Sequence, residues 1–211
     1  FNVLNFFTTI DSGKDNCGPS GADGCRGANS NAELSRQLDK TVTALLESGV
    51  DIFGLTELEN NADASISALV DAMNARVGST DYAYVDTGII HKDVIKAGFI
   101  YRSSVVTPVG DYALIDRSVD SRFNDDRNRP SLAQTFDVNA TGARLTVVAN
   151  HLKSKGSSCD SDGDPNLDDG QGNCNQARTS AASALADWIA TDPTGSGDDD
   201  FLIIGDMNAY Y

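Results

Sequence analysis

Five polar side chains stand at the ends of apolar runs of this sequence, and together they have the chemistry of a hydrolytic metal site. They are Asn2, Glu57, His151, Asp206 and Asn208. Residues i and i+2 of a strand point to the same side, so we expect Asp206 and Asn208 to act together. Carboxylate and amide oxygens suit a hard cation such as Mg²⁺. Taken singly, such a Glu is more often a surface residue and such a His a turn residue, so the prediction rests on the combination.

The elements that must position these residues begin as alternating strands and helices and continue as consecutive strands. Apolar runs predict strands at 1–7, 50–55, 82–85, 94–101, 105–115, 131–138 and 144–149, and a buried strand at 201–204. Helical spacing predicts helices from the capping box at Ser30 to Gly49, from about residue 66 to Gly78, and at 175–190. No repeat or linker interrupts residues 1–211, which we expect to form one domain with an α+β layered sandwich fold.

The net charge of −15 excludes a module that binds nucleic acid by basic charge alone. An anionic substrate would instead be attracted by a divalent cation and a few local Arg and Lys residues. No apolar run approaches the roughly 20 residues of a membrane span. No leader of basic and then apolar residues is present, and no feature indicates an obligate protein partner.

The four cysteines form two pairs that are close in the sequence. Cys17 and Cys25 enclose one turn-rich segment, and Cys159 and Cys174 enclose another. Neither spacing is that of a zinc site. We expect two local disulfides and therefore an oxidising compartment, which means a secreted, extracellular or cell-surface protein. The alternative is four free thiols in a cytosolic protein.

Five motifs occur in order along the chain and carry a resemblance to a known superfamily. They are FNVLNFF (1–7), LTELEN (55–60), RPSLAQTF (129–136), NHLKSKGS (150–157) and GDMNA (205–209). The set resembles the endonuclease/exonuclease/phosphatase superfamily, and specifically its secreted bacterial nucleases related to pancreatic deoxyribonuclease I. The loop DGQGNCN (169–175), followed by Gln176, Ala177 and Arg178, is similar to the same branch.

The resemblance implies a four-layer α/β sandwich and a role for each of the five polar residues. Asn2 and Glu57 match the positions that bind Mg²⁺ or Mn²⁺, and Glu57 matches the principal ligand. His151 matches the histidine that contacts the scissile phosphate, and Asp206 and Asn208 match the pair that positions water.

Several further residues are candidates for supporting roles in the same site. Asp93 is a candidate partner of His151. Four cations are candidate phosphate contacts, with ordinary surface charge as the alternative: Arg129, Arg178, Lys153 and Lys155.

The resemblance also implies further strands that end in a Ser-Asp-His-like motif, which this sequence does not contain. His91 matches no family motif and is not expected to replace it. We therefore expect residues 1–211 to be the N-terminal two-thirds of a catalytic domain, truncated before the last strands and nearly inactive alone.

The loop between Cys159 and Cys174 carries a second hypothesis. Asp160, Asp162 and Asp164 alternate as the ligands of calcium loops do, although Gln171 occupies the place of the final Glu of an EF-hand. We expect either a structural Ca²⁺ site or a solvated acidic loop.

Together these features predict a secreted, divalent-metal-dependent nuclease that hydrolyses the phosphodiester bonds of DNA, with RNA as an alternative substrate. The alternatives are a phosphatase or phospholipid phosphodiesterase of the same superfamily, and a non-catalytic surface module stabilised by calcium.

Overall fold

The computed structural model describes residues 1–209 of the 211-residue chain. The strands of this part are Asn2–Phe6 (β1), Asp15–Cys17 (β2), Asp23–Gly24 (β3), Ile52–Glu59 (β4), Tyr82–Tyr84 (β5), Ile95–Arg102 (β6), Val106–Ile115 (β7), Ser131–Val138 (β8), Arg144–His151 (β9) and Phe201–Asp206 (β10). The α-helices are Asn31–Ser48 (α1), Ala64–Val77 (α2) and Asn175–Ile189 (α3), and one 3₁₀ turn spans Asp160–Asp162.

Two four-stranded sheets form the centre of the fold. The first has the order β1-β4-β6-β5, and the second has the order β10-β9-β8-β7. In each sheet the first strand is parallel to its neighbour and the other pairs are antiparallel. β2 and β3 form a separate small hairpin. The strands that carry the predicted site residues, β1, β4, β9 and β10, therefore lie at or next to one edge of each sheet.

Three buried clusters show that these elements stack in four layers. The first cluster joins α1 and α2 to one face of the first sheet and includes Leu45 and Leu55. The second lies between the sheets and includes Phe99 of β6 and Phe136 of β8, whose rings meet edge to face. The third joins the second sheet to α3. This arrangement confirms the predicted α+β, four-layer sandwich.

The helix ends follow the predicted capping chemistry. The Ser30 hydroxyl accepts a hydrogen bond from the Glu33 amide at 3.3 Å, and α1 ends at Gly49, whose φ is 66°. Gly78 ends α2 in the same left-handed conformation. No α-helix of residues 1–209 is long and apolar enough to cross a membrane.

Two features of the strands differ from the sequence prediction. β10 was expected to be buried, but Phe201, Leu202 and Ile203 are 53%, 52% and 37% exposed, because β10 is an edge strand paired only with β9. Strands β4, β9 and β10 also continue past their predicted ends, to Glu59, His151 and Asp206. The candidate catalytic side chains therefore belong to the strands, whose backbone hydrogen bonds fix their positions.

Two glycines allow close approach around the site. A Cβ at Gly54 of β4 would overlap the Ile204 side chain of β10, so glycine here lets the two sheets come together. Gly205 has φ 124°, and a Cβ there would overlap the carbonyl oxygen of Asn150 on β9. The second glycine therefore sets the position of Asp206, the next residue.

We predict that Gly205→Ala lowers the free energy of unfolding by about 2 kcal/mol or more, because the backbone conformation and the Asn150 backbone both oppose a side chain. Urea denaturation measures the effect. Gly156→Ala is the matched control, since a Cβ there meets nothing within 4 Å. Equal stability of the two variants would contradict this account of Gly205.

Candidate active site

One side-chain amide joins carboxylates from the two sheets. Asn2 Nδ2 of β1 donates to Glu57 Oε1 at 2.9 Å and to Asp206 Oδ2 at 3.3 Å. Glu57 belongs to the first sheet and Asp206 to the second. The structure thus brings together three of the residues that the sequence singled out, and two negative charges share one donor.

Irregular backbone aims Glu57 at this position. The pairing of β4 with β6 is interrupted between Leu55 and Leu58, and Glu57 has φ 67°. A bulge of this kind redirects a side chain out of the normal strand alternation. Asn5 also has a positive φ, and its backbone amide donates to Glu57 Oε2 at 2.9 Å. Non-glycine residues rarely adopt such conformations, which concentrate at functional sites.

The Asn2 carboxamide oxygen accepts a hydrogen bond from the Leu4 amide at 2.8 Å. The sequence predicted Asn2 as a metal ligand. In the structure, the Asn2 carboxamide oxygen accepts the hydrogen bond from Leu4, and the carboxamide nitrogen donates to Glu57 and Asp206. Asn2 therefore orients the two carboxylates.

His151 lies beside the two carboxylates. It is the register partner of Asp206 in the parallel pair of β9 and β10, and its Nε2 is 3.9 Å from Glu57 Oε1. The side chain is almost fully buried. Burial, and next the positive charge of Arg129, lower the pKa of His151, while Glu57, Asp206 and Asp93 raise it by less. This shift favours the neutral imidazole, which has one donor and one acceptor nitrogen.

Asp206 and Asn208 are held together as the i, i+2 spacing suggested, through the backbone. The Asn208 amide donates to Asp206 Oδ1 at 3.0 Å. The Asn208 carboxamide nitrogen donates to the Leu152 carbonyl at 2.9 Å, which fixes the carboxamide next to the residue that follows His151. Asn208 has φ 48°, a further left-handed residue at the site.

Arg129 and Lys153 are the predicted phosphate contacts that lie near His151. The Arg129 backbone amide donates to the His151 carbonyl at 3.3 Å, and its Nε pairs with Asp93 Oδ2 at 2.9 Å. Asp93, predicted as a partner of His151, is thus bonded to Arg129. Burial, and next the charges of Arg129 and Arg127, lower the pKa of Lys153. Arg129 is therefore the cation whose charge acts on both His151 and Lys153.

The other two predicted phosphate contacts have different partners. Arg178 is 4% exposed and donates to the carbonyls of Lys153, Asn173 and Gln171 at 3.1, 2.7 and 2.7 Å. Its guanidinium holds the loop before α3, so these contacts give it a structural role, and the phosphate contact stays a prediction for this residue. Lys155 Nζ donates to the Gly170 carbonyl at 3.1 Å in the same loop.

Both predicted disulfides are present. Cys17 pairs with Cys25 and Cys159 with Cys174, with Cα–Cα distances of 5.2 and 5.3 Å. Residues 1–209 contain no free cysteine.

The aspartates of the acidic loop in the second disulfide have protein partners. Asp162 forms a two-pronged ion pair with Arg127 at 2.6 and 2.7 Å. Asp164 accepts hydrogen bonds from the backbone amides of Gln176 and Ala177, and so caps the start of α3. Asp160 is exposed. The calcium site stays a prediction, and these contacts favour its alternative, an acidic loop without calcium.

The sequence reasoning missed the role of Glu59. This residue is fully buried, and its Oε2 accepts hydrogen bonds from the backbone amides of Thr8 and Thr9 at 2.9 and 3.0 Å. It thereby anchors the chain where β1 leaves the sheet. The only signal in the sequence was its position two residues after Glu57.

His91 was not expected to belong to the site. Its Nε2 lies 3.3 Å from Asp125 Oδ2.

The carboxylates of Glu57 and Asp206, which both accept a hydrogen bond from Asn2, suit one hard cation. Residues 1–209 contain no group of three or more His, Cys, Asp and Glu side chains arranged to hold a metal. Magnesium, however, commonly takes only one or two protein carboxylates and keeps several water ligands. Glu57 and Asp206, which converge on one amide, fit that requirement.

Solved structures show the fold to which this arrangement belongs. The human Nocturnin catalytic domain with bound sulfate matches with a TM-score of 0.53 and 15% identity, covering 83% of this chain and 58% of that one. An endonuclease/exonuclease/phosphatase family protein from Bacteroides thetaiotaomicron matches with a TM-score of 0.54 and 16% identity, and the match covers 82% of this chain and 55% of that one. A mannosyl-6-phosphatase of the same species matches with a TM-score of 0.54 and 16% identity, and the match covers 82% of this chain and 57% of that one.

The chain therefore has the fold of the endonuclease/exonuclease/phosphatase proteins and spans between 55% and 58% of the length of these three structures. No protein-family model matches the chain. No curated protein matches it either.

We predict that Asp164→Ala lowers the free energy of unfolding by about 1 kcal/mol, because α3 loses a capping carboxylate. Asp160→Ala, an exposed control in the same loop, is expected to be neutral. Thermal unfolding with and without CaCl₂ tests both variants. A calcium-dependent stabilisation of the native protein that Asp164→Ala abolishes would restore the calcium-loop interpretation.

Proposed function

We propose that this protein is a divalent-metal-dependent phosphoesterase that hydrolyses the phosphodiester bonds of DNA, with RNA as the alternative substrate. One observation carries the proposal. Glu57 and Asp206, from different sheets, converge on the Asn2 amide beside the buried His151. Two carboxylates that could hold a cation and an imidazole that could contact a phosphate oxygen are a set of groups that can support phosphoryl hydrolysis.

In this proposal Glu57 and Asp206 hold Mg²⁺ or Mn²⁺, with Asn2 fixing their orientation. The bound cation would neutralise charge on the phosphoryl oxygens and act as a Lewis acid. His151 donates its N–H to a phosphate oxygen as charge develops there. Asp206 and Asn208 would orient the attacking water. Its oxygen would bond to phosphorus as the bond from phosphorus to the leaving oxygen breaks, the water would release its proton to solvent, and the leaving oxygen would take up a proton from solvent. Arg129 and Lys153 bind the phosphate from the side of the imidazole.

The concentration of cations near His151 supports an anionic substrate. The chain as a whole carries a net charge of −15, so its surface repels polyanions. Lys153, which follows His151 by two residues, forms no ion pair with an acid among residues 1–209 and is therefore a local exception, whereas Arg129 is paired with Asp93.

A phosphatase is the second candidate, because one of the structures with this fold is a mannosyl-6-phosphatase. The same site residues would serve a phosphomonoester. Parallel assays on DNA, RNA, sphingomyelin and a sugar phosphate separate a nuclease from a phosphatase and from a phospholipid phosphodiesterase.

We also propose that the protein belongs to the secreted bacterial branch related to deoxyribonuclease I. Two disulfides support this assignment, because disulfides persist in oxidising compartments and are rare in the cytosol.

The proposed function predicts that Glu57→Gln lowers Mg²⁺-dependent plasmid nicking by about 10³-fold, because one charge of the cation site is lost. Glu47→Gln, the same chemical change on the exposed surface of α1, is expected to keep full activity. Nicking rates are measured in a protein that also carries the expected C-terminal strands, because residues 1–211 alone are expected to be nearly inactive, and circular dichroism spectra are recorded for the same variants. Unchanged nicking by a folded Glu57→Gln variant would refute the proposed role of this carboxylate.

A further inference from the structure

Arg178 is a buried cation whose contacts lead to the backbone that follows His151. The residue is 4% exposed and lies near the start of α3. Its Nη1 donates to the carbonyls of Lys153 and Asn173 at 3.1 and 2.7 Å, and its Nη2 donates to the carbonyl of Gln171 at 2.7 Å. A buried charge is costly unless its donors are bonded, so these three carbonyls offset the cost of burying the guanidinium.

Both backbone groups of Lys153 are fixed by side chains, two residues after β9 ends. The Lys153 amide donates to Asn128 Oδ1 at 2.9 Å, and the Lys153 carbonyl accepts the hydrogen bond from Arg178. The preceding residue, Leu152, is fixed through its amide, which donates to the carbonyl of Asp206 at 3.0 Å. The backbone of Lys153 therefore has a defined position relative to Asp206, one of the two carboxylates of the site.

The alternation of side chains along β9 directs the Lys153 side chain towards the site. His151 lies beside Glu57, whereas Leu152 is buried in the cluster that joins the second sheet to α3. Successive side chains of an extended backbone point to opposite sides, so we expect Lys153 on the side of His151. The Lys153 side chain is half-buried, and it forms no ion pair with an acid among residues 1–209. Its ammonium group is therefore available to an anion.

The same guanidinium connects Lys153 to the loop that the second disulfide closes. Gln171 and Asn173 come just before Cys174, which pairs with Cys159. The disulfide limits the movement of this segment, so the carbonyls of Gln171 and Asn173 hold the guanidinium and the guanidinium in turn holds Lys153. Arginine suits such a contact because its planar group presents five donors in a fixed geometry, whereas the ammonium group of a lysine is a single point.

We propose that Arg178 is a positioning residue of the site, which places Lys153 so that the Lys153 ammonium group contacts an oxygen of the phosphate at His151. This inference rests on the proposed function, because that function places a phosphate at His151. Arg178 acts through Lys153 and does not itself need to touch the substrate. A side chain that is held in place before binding loses less freedom when the phosphate arrives.

The first test follows the ionisation of the Lys153 side chain by NMR, in protein with isotopically labelled lysine that also carries the expected C-terminal strands. Arg178→Lys keeps the positive charge, but its ammonium group cannot hold all three carbonyls. Burial lowers the pKa of Lys153 in the native protein. In Arg178→Lys we expect that pKa to rise towards about 10.4, because the released side chain moves into solvent. Asp164→Ala, which weakens the start of α3 without removing a contact of Lys153, should leave the pKa low.

The second test asks whether Arg178 acts through Lys153. The value of kcat/KM for bis(p-nitrophenyl) phosphate is measured for Arg178→Lys, Lys153→Ala and the double variant of the same protein. We expect each single change to lower kcat/KM about 10-fold, as the loss of one hydrogen bond to a charged group does. The double variant should lose no more than Lys153→Ala alone. A loss of about 100-fold in the double variant would overturn the proposal, because the two residues would then act independently.

The two tests separate this inference from the proposed function. If the native protein hydrolyses no phosphodiester, the proposed function fails, and the NMR titration still decides whether Arg178 places Lys153. An unchanged, low pKa of Lys153 in folded Arg178→Lys would overturn the role of Arg178, whatever the activity. Should Arg178→Lys fail to fold, Arg178→Gln takes its place in the kinetic comparison, with the same expected result and the same contradicting result.

Discussion

The hydrogen bonds from the Asn2 carboxamide to Glu57 and Asp206 are the interaction on which the candidate site depends. They join two carboxylates that belong to different sheets, so the site exists only where the sheets pack at the right distance. Gly54 permits that distance, and Gly205 permits the backbone path into Asp206. Two like charges close together cost free energy, and one shared donor reduces that cost until a cation is bound. The distance at which the two sheets pack therefore also sets the distance between the two carboxylates of the site.

Charge distribution extends the same logic beyond the carboxylates. The protein is strongly acidic, and most of its arginines are neutralised by aspartates. Lys153, two residues after His151, differs from them, because it forms no ion pair with an acid among residues 1–209, and the charges of Arg129 and Arg127 lower its pKa after the larger effect of burial. Such an arrangement makes a local region that attracts phosphate on a surface that otherwise repels it.

Periodicity and capping residues were sufficient to predict the helices, most strand positions and the layered fold. They did not predict the backbone conformation of Glu57, because no local sequence pattern indicates that a glutamate will adopt a positive φ at a bulge. The exposed edge position of β10 depends on strand order, which the apolar run of 201–204 does not encode. Alternating aspartates look the same whether they bind calcium or, like Asp164, cap a helix. The sequence singled out five polar residues, and the structure brings three of them, Asn2, Glu57 and Asp206, into hydrogen-bonding contact; their roles stay predictions.

The central claim is that Glu57 and Asp206 form one divalent cation site. Anomalous diffraction from crystals of the protein grown with Mn²⁺ tests it directly. The account predicts a manganese peak within coordination distance of both carboxylates, and loss of that peak in Asp206→Asn. A peak elsewhere, for example in the 159–174 loop, with none at Glu57 would contradict it.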